Sequence, residues 1–226
     1  MTPARSRAER PALSRERVLA EAVVLADAEG LAALSMRTLA RRLGVEAMSL
    51  YHHEPNKEAL LDGMVDLVFG EMHAPRPGAD WAAELRLRSV SGRQVLLRHR
   101  WAVGLMDSRS APATQVLLHH DAVLGCLRTA GFSLALAGHA FAVLDAHLYG
   151  FLVQELALPF GTEEELQALG ASIMAQLPAD GVPHFVEFAT QHAMQPGYAF
   201  GDEFEWGLDL VLEGLERRRR AEAGHP

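Results

Sequence analysis

Cysteine is nearly absent from this chain: Cys126 is the only one in 226 residues. A lone thiol cannot close an internal disulfide, so no crosslinked framework is expected, which suits a reducing cytoplasm. Its neighbours Val123, Leu124 and Leu127 mark it as a packed thiol rather than a reactive one. No uninterrupted run of 18 apolar residues occurs, and no membrane span is expected. Arg5, Arg7 and Arg10 are not followed by an apolar segment, which argues against a secretory signal. Apolar–polar alternation is missing too, leaving no half-buried strand to propose. There is no convincing GxSxG, HExxH, phosphate-binding loop or Cys–His constellation, so no catalytic residue, cofactor or metal is expected. Repeats and low-complexity tracts are absent. Lysine occurs once, at Lys57, against twenty arginines, a skew that reflects coding bias rather than chemistry.

What is present describes a globular chain. Hydrophobic residues make up 49% and charged residues 22%, enough to bury a core in one or two domains. The net charge of −8 is unevenly spread. Residues 1–57 hold nine basic and seven acidic side chains, and residues 58–226 hold twelve and twenty-two. A polyanion would therefore meet the N-terminal part. The acidic remainder discourages wrong docking.

The stretch from Leu34 to His53 reads as two short helices joined by a tight turn. Ser35 is a fitting N-cap, because its hydroxyl can accept from an orphan amide of the first turn. Leu39, Ala40 and Leu43 recur at helical spacing, and Gly44 sits where the backbone needs a positive φ. A second helix is expected from about Glu46 to His53, anchored inward by Leu50. Ala47, Met48, Ser49, Tyr51 and His52 then face outward. Such a surface suits a helix end entering a DNA major groove, although an ordinary helical corner has the same spacing.

Ahead of this stretch, Ser14 caps a helix running to about Ala28, and Gly30 ends it. Residues 1–13 form a basic arm, either a groove-tracking tail or a solvated one. After His53, a turn capped by Asn56 leads into a helix over Lys57–Met72. Ala74–Asp80, with two prolines and a glycine, is the one candidate hinge. Helices are then expected at Trp81–Arg98, Trp101–Met106, Pro112–Ala130, Leu134–Leu158, Glu163–Gln176, Val182–Met194 and Phe204–Arg220. The fold class is all-α. The expected division is an arm over 1–13, a helix-turn-helix domain over 14–60, and a helical effector-binding and dimerisation domain over 61–226.

The residues Ser14 to Gly30, Leu34 to His53 and Asn56-Lys57-Glu58-Ala59-Leu60-Leu61 resemble the tetracycline-repressor (TetR) family of bacterial regulators. Leu50-Tyr51-His52-His53 with Asn56-Lys57 and Leu60-Leu61 is the most specific part. Ala130–Leu134, Tyr149-Gly150 and Phe204–Glu216 resemble the regulatory domain of the tetracycline-repressor branch. The resemblance implies a cytoplasmic, sequence-specific regulator of transcription, by default a repressor released from operator DNA by a small molecule. It implies DNA contacts from Met36, Arg37, Ala47, Met48, Ser49, Tyr51, His52, His53 and Lys57. Arg37 has the fork geometry to grip guanine O6 and N7. His53 and Lys57 are expected on phosphates. One reading head offers too few such contacts for selective binding, so a homodimer is implied. Its interface is expected near 134–158 and 204–220, where Leu208, Leu210, Val211, Leu212 and Leu215 make the last helix unusually apolar.

For the effector, the candidates are His73, Arg88, Trp101, Met106, His147, Phe151 and Gln154, polar or polarisable groups set among apolar runs. The family comparison places Met106 where a magnesium-coordinating histidine stands in the tetracycline repressors, and Gln154 in place of an acidic partner. Methionine is a poor ligand for a hard cation. A lipophilic or aromatic small molecule is expected instead of a magnesium–tetracycline chelate. His119-His120-Asp121 is read as structural, because adjacent helical residues point about 100° apart. Two other classes remain compatible with the residues: an all-α enzyme using His147 as base, and a dimerisation module carrying a degenerate reading head.

Overall fold

A computed structural model of the chain describes residues 12–106, 114–177 and 181–224. The basic arm, apart from its last two residues, and the start of the helix expected from Pro112 lie outside the described residues. Every regular element among the described residues is helical. The chain divides into two compact units, one built from residues 1–71 and 98–117, the other from 72–97 and 118–226.

The first unit opens with α1 (Arg15–Glu29), α2 (Met36–Leu43) and α3 (Ala47–Leu50), followed by α4 (Lys57–Glu71) and a 3-10 helix over Arg100–Leu105. Ser14 accepts from the Arg17 amide and starts α1, as its position implies. Ser35 starts α2 through a reciprocal capping box with Thr38. Gly44 closes α2 at φ 69° and ψ 36°, the left-handed region that a side chain resists. Val18, Leu25, Leu34, Leu39, Leu50, Leu60 and Met64 form one buried core, and Val45 and Ala47 pack against it. Asn56 caps α4 by accepting from the Ala59 amide at 2.8 Å.

One expectation needs correcting. The regular helix after the turn ends at Leu50 rather than His53. Residues 51–53 continue as turns, with the amides of His53 and Glu54 sharing the Leu50 carbonyl at 2.9 Å, one of them in the tighter three-residue register. Glu46 adds no side-chain cap at the other end.

The second unit contains α5 (Trp81–Arg98), α6 (Thr114–Thr129), α7 (Leu134–Ala157), α8 (Glu163–Gln176), α9 (Pro183–Phe188) and α10 (Glu203–Ala223), apart from the single residues or turns that fall in the first unit. Leu85, Leu96, Leu127, Phe132, Leu144, Leu148, Phe204 and Leu208 are its buried apolar centre. Trp81 meets Phe132 edge-on at 4.9 Å. α7 is long and apolar enough to cross a membrane by length and composition alone, and only 33% of its most apolar window is buried. α10 packs along it.

Two segments differ from expectation here. The helix expected over Val182–Met194 breaks after Phe188 into one π-helical turn, Ala189–Ala193. The Thr190 hydroxyl donates back to the Val186 carbonyl at 2.7 Å, competing with the regular ladder. The supposed hinge at 74–80 is pinned. Glu84 accepts from the Arg76 amide at 3.0 Å and its guanidinium at 2.6 and 2.9 Å, while Gly78 donates to Thr129 Oγ1 at 3.1 Å.

Candidate nucleic-acid interface and effector residues

α2 and α3 present one connected outer surface on the first unit. Arg37 stands exposed in the first turn of α2, beside the Ser35 cap. Met48 is 71% exposed, and with Tyr51 it places two exposed large apolar side chains at this end of α3. Tyr51 and His52 are exposed beyond it, and Ser49 and His53 are half-buried. Lys57 is exposed in the first turn of α4. Its charge opposes the helix dipole at that end.

Two expected DNA residues sit differently. Met36 is buried at the start of α2 and belongs to the core, because its position shares the inward helical face of Leu39, Ala40 and Leu43. Its thioether is therefore not part of the exposed surface. Ala47 is half-buried against the same core, so only part of its methyl is presented.

Behind the surface, charges brace the helices. Arg42 on α2 meets Glu21 of α1 at 2.7 Å and Glu29 at 3.4 Å. Glu54 is 2% exposed and pairs with Arg15 at 2.8 Å. Burial raises its carboxyl above the usual range, partly opposed by Arg15. His99, also buried, lies 2.8 Å from Asp27 of α1 and 3.4 Å from Glu71 of α4. Asp27 also accepts from the Trp101 indole at 2.7 Å. None of these braces was visible in the spacing, since the partners come from distant positions.

The seven effector candidates are spread out. Trp101 and Met106 belong to the first unit, and the other five to the second. His73 is held by Glu84 at 2.7 Å, and the same carboxylate takes Arg76, which holds it down at about 2. Arg88 is 1% exposed. It donates to Asp145 at 2.5 Å and to His119 Nε2 at 3.2 Å, leaving Nη1 without a partner. Burial, then the Arg88 charge, lowers His119 to about 3, so that ring is a neutral acceptor. His147 bonds the Phe204 carbonyl at 3.0 Å and stacks on its ring at 4.9 Å. Phe151 stacks on Phe200 at 4.8 Å beneath the Arg93 guanidinium. Gln154 is exposed. His73, Arg88 and His147 thus serve as structural ties in the second unit, each already engaged by a partner.

A different feature of that unit went unread. Phe160, Met174, Phe185, Phe188, Met194 and Phe200 line an apolar cavity of about 260 Å3 between α8 and the α9 segment. The clustering of phenylalanine and methionine over residues 160–200 was its only sequence signal. Among the described residues, no group of three or more His, Cys, Asp or Glu is placed to hold a metal.

A short capped helix, a left-handed glycine and a second short helix with an apolar, aromatic exposed end, set ahead of a larger helical body, define a helix-turn-helix regulator. Residues 18–64 match the model for bacterial regulatory proteins of the tetR family, and residues 74–219 match the tetracyclin repressor-like C-terminal domain. The chain is 32% identical over 212 residues to the class C tetracycline repressor protein of Escherichia coli, covering 92% of each. It is 30% identical over 229 residues to the HTH-type transcriptional repressor DrrR1 of Streptomyces coeruleorubidus, covering 96% of this chain and 84% of that one. It superposes with a TM-score of 0.76 and 28% identity on the TetR family protein ActR of Streptomyces coelicolor, solved in complex with actinorhodin, over 95% of this chain and 100% of that one. The chain belongs to the tetR family of bacterial regulatory proteins. It is a DNA-binding transcriptional regulator.

Proposed function

We propose that the chain acts as a homodimeric, cytoplasmic repressor that binds a pseudo-palindromic operator and releases it when a lipophilic or aromatic small molecule binds. The observation that carries the DNA part is the exposed α3 end. Met48, Tyr51 and His52 stand exposed in sequence at one end of α3, whereas Leu39, Leu43 and Leu50 are buried behind them. Residues 14–60 form the reading head and 61–226 the effector-binding and dimerisation part, a division supported by the two separate family matches. Arg37 grips a base edge, Ala47 and Met48 touch thymine methyls, and Ser49, Tyr51 and His52 make mixed contacts. His53 and Lys57 hold phosphates, and Met36 contributes through its backbone.

Dimerisation rests on the α7 and α10 surface. Trp206 is 65% exposed on α10, Leu210 is exposed one turn on, and Val143 and Val153 are exposed on α7. An apolar helix pair of this kind is better explained by a second copy than by a lipid bilayer, because α10 interrupts it with Glu205, Asp209 and Glu213. Two copies place half-site centres roughly 34–36 Å apart, or a multiple of it. Ligand binding then changes the separation of the two recognition helices so that both half-sites no longer fit.

The effector class is supported by the ActR complex, whose ligand is actinorhodin, and by Met106 and Gln154, which make a poor magnesium site. Release of DNA by micromolar chelated tetracycline would overturn that part. No enzymatic role is assigned.

The deciding experiment is selection of bound duplexes from a random DNA pool with the purified protein at stated salt. A pseudo-palindromic motif supports the proposal. Binding without a motif, or no binding, refutes it and favours a dimerisation module with a degenerate head.

A further inference from the structure

None of the seven side chains expected to meet an effector lines the apolar cavity between α8 and the α9 segment. None of the described residues lining it carries a charge. Its walls combine Leu166, Leu169 and Ile173 with phenylalanine rings and the thioethers of Met174 and Met194, and the rings and thioethers favour contact with an aromatic π-system. Tyr198 brings the one hydroxyl. Burial, then Glu203, raises its pKa, so it stays a neutral donor.

Two independent features show a built site rather than a loose fold. The π-helical turn Ala189–Ala193 widens the chain where Ala189 and Ala193 face the cavity, and such turns cluster at functional positions. It is held open by side chains. Gln195 donates to the Thr190 carbonyl at 2.5 Å, and Gln167 of α8 donates to the Met194 carbonyl at 2.7 Å. Gly170 is the second feature. A β-carbon there would stand 2.7 Å from the Met194 sulfur, so its absence lets Met194 form the cavity wall against α8.

Size limits the occupant. An apolar cavity of about 150 Å3 stays dry and takes up benzene. The 260 Å3 here therefore matches about two fused rings. We infer that this cavity is a binding site for a neutral bicyclic aromatic molecule. A carboxylate or ammonium is rejected, because no lining charge would offset its desolvation. Phe200 ties occupancy to the rest of the unit: it lines the cavity, stacks on Phe151 of α7 and opens the 3-10 turn leading into α10.

The inference does not depend on operator binding, so its test needs no DNA. Full-length protein is titrated with prodan, a neutral naphthalene ketone whose emission shifts blue in apolar surroundings. Saturable binding at one site per chain is expected, with affinity falling by about tenfold or more in Ala193→Trp, which fills the cavity. Ile173→Trp, at the rim, is the second variant should the first fail to fold. A naphthalene carboxylate of the same size should fail to compete. Absence of saturable binding, or affinity unchanged in the folded variants, overturns the inference. So does a change of oligomeric mass in either variant, which would make the cavity an interface between copies.

Discussion

Arg15 of α1 lies 2.8 Å from the carboxylate of Glu54, a group that is buried directly behind the recognition helix while its partner stays largely exposed. The pair therefore combines a desolvated anion with a solvated cation. Burial outweighs the attraction, and the carboxyl is raised above its ordinary value. A carboxyl raised on folding favours the fold when protonated. Its contribution is complete below about 4.5 and is lost as pH rises through the folded value. Glu54→Gln should therefore leave stability at neutral pH unchanged or raised by about 1 kcal/mol. Urea unfolding at pH 7 and pH 5 measures this. A strong loss at pH 7 would show that the Arg15 attraction dominates instead.

Glu84 has the opposite sign. Hydrogen bonds from Arg76, then His73, hold it at about 2, against 4.5 when unfolded. Its contribution is present above 4.5 and disappears as pH falls toward 2. Acid should loosen the 74–80 segment in that window, and Glu84→Gln should flatten the acid limb of the urea midpoint. An unchanged acid limb in the variant would place the acid sensitivity elsewhere.

Arg37→Ala should weaken operator binding by about tenfold or more, the loss of one bidentate base contact per head, and relax preference at one base step of each half-site. Arg37→Lys should restore phosphate attraction without the base preference. Fluorescence anisotropy at fixed salt, with single-base operator variants, separates the two. Uniform weakening across all variants would make Arg37 a phosphate contact.

Leu210→Arg should convert the protein to monomers without unfolding it, because Leu210 is 51% exposed in one copy. Sedimentation velocity reports the mass, and circular dichroism the fold. DNA binding should fall with the dimer. A dimer of unchanged mass would move the interface away from α10.

Much of the reading head was legible because its signals are local. Ser14, Ser35, Gly44 and Asn56 act on backbone within four residues, and Leu39, Leu43 and Leu50 declare the buried side by their spacing. The long helices at Trp81–Arg98 and Glu163–Gln176 have the bounds that periodicity gave them. The recognition helix was overextended because Tyr51 to His53 continue as hydrogen-bonded turns onto the Leu50 carbonyl, a tightening that the spacing of apolar residues does not register.

The sequence by itself determined the helical class, the turn that separates α2 from α3, the cap residues and the family, since each depends on neighbours in the chain. Tertiary structure alone decided which polar groups are engaged. Arg88 meets Asp145 across 57 residues, Arg93 meets Glu155 across 62, and His99 meets Asp27 across 72. The α8–α9 cavity belongs to the same group: its wall draws on residues from Phe160 to Phe200, and only packing brings their side chains to one space. Local propensity acts over a turn of helix, whereas a buried charge or a cavity is defined by everything that surrounds it.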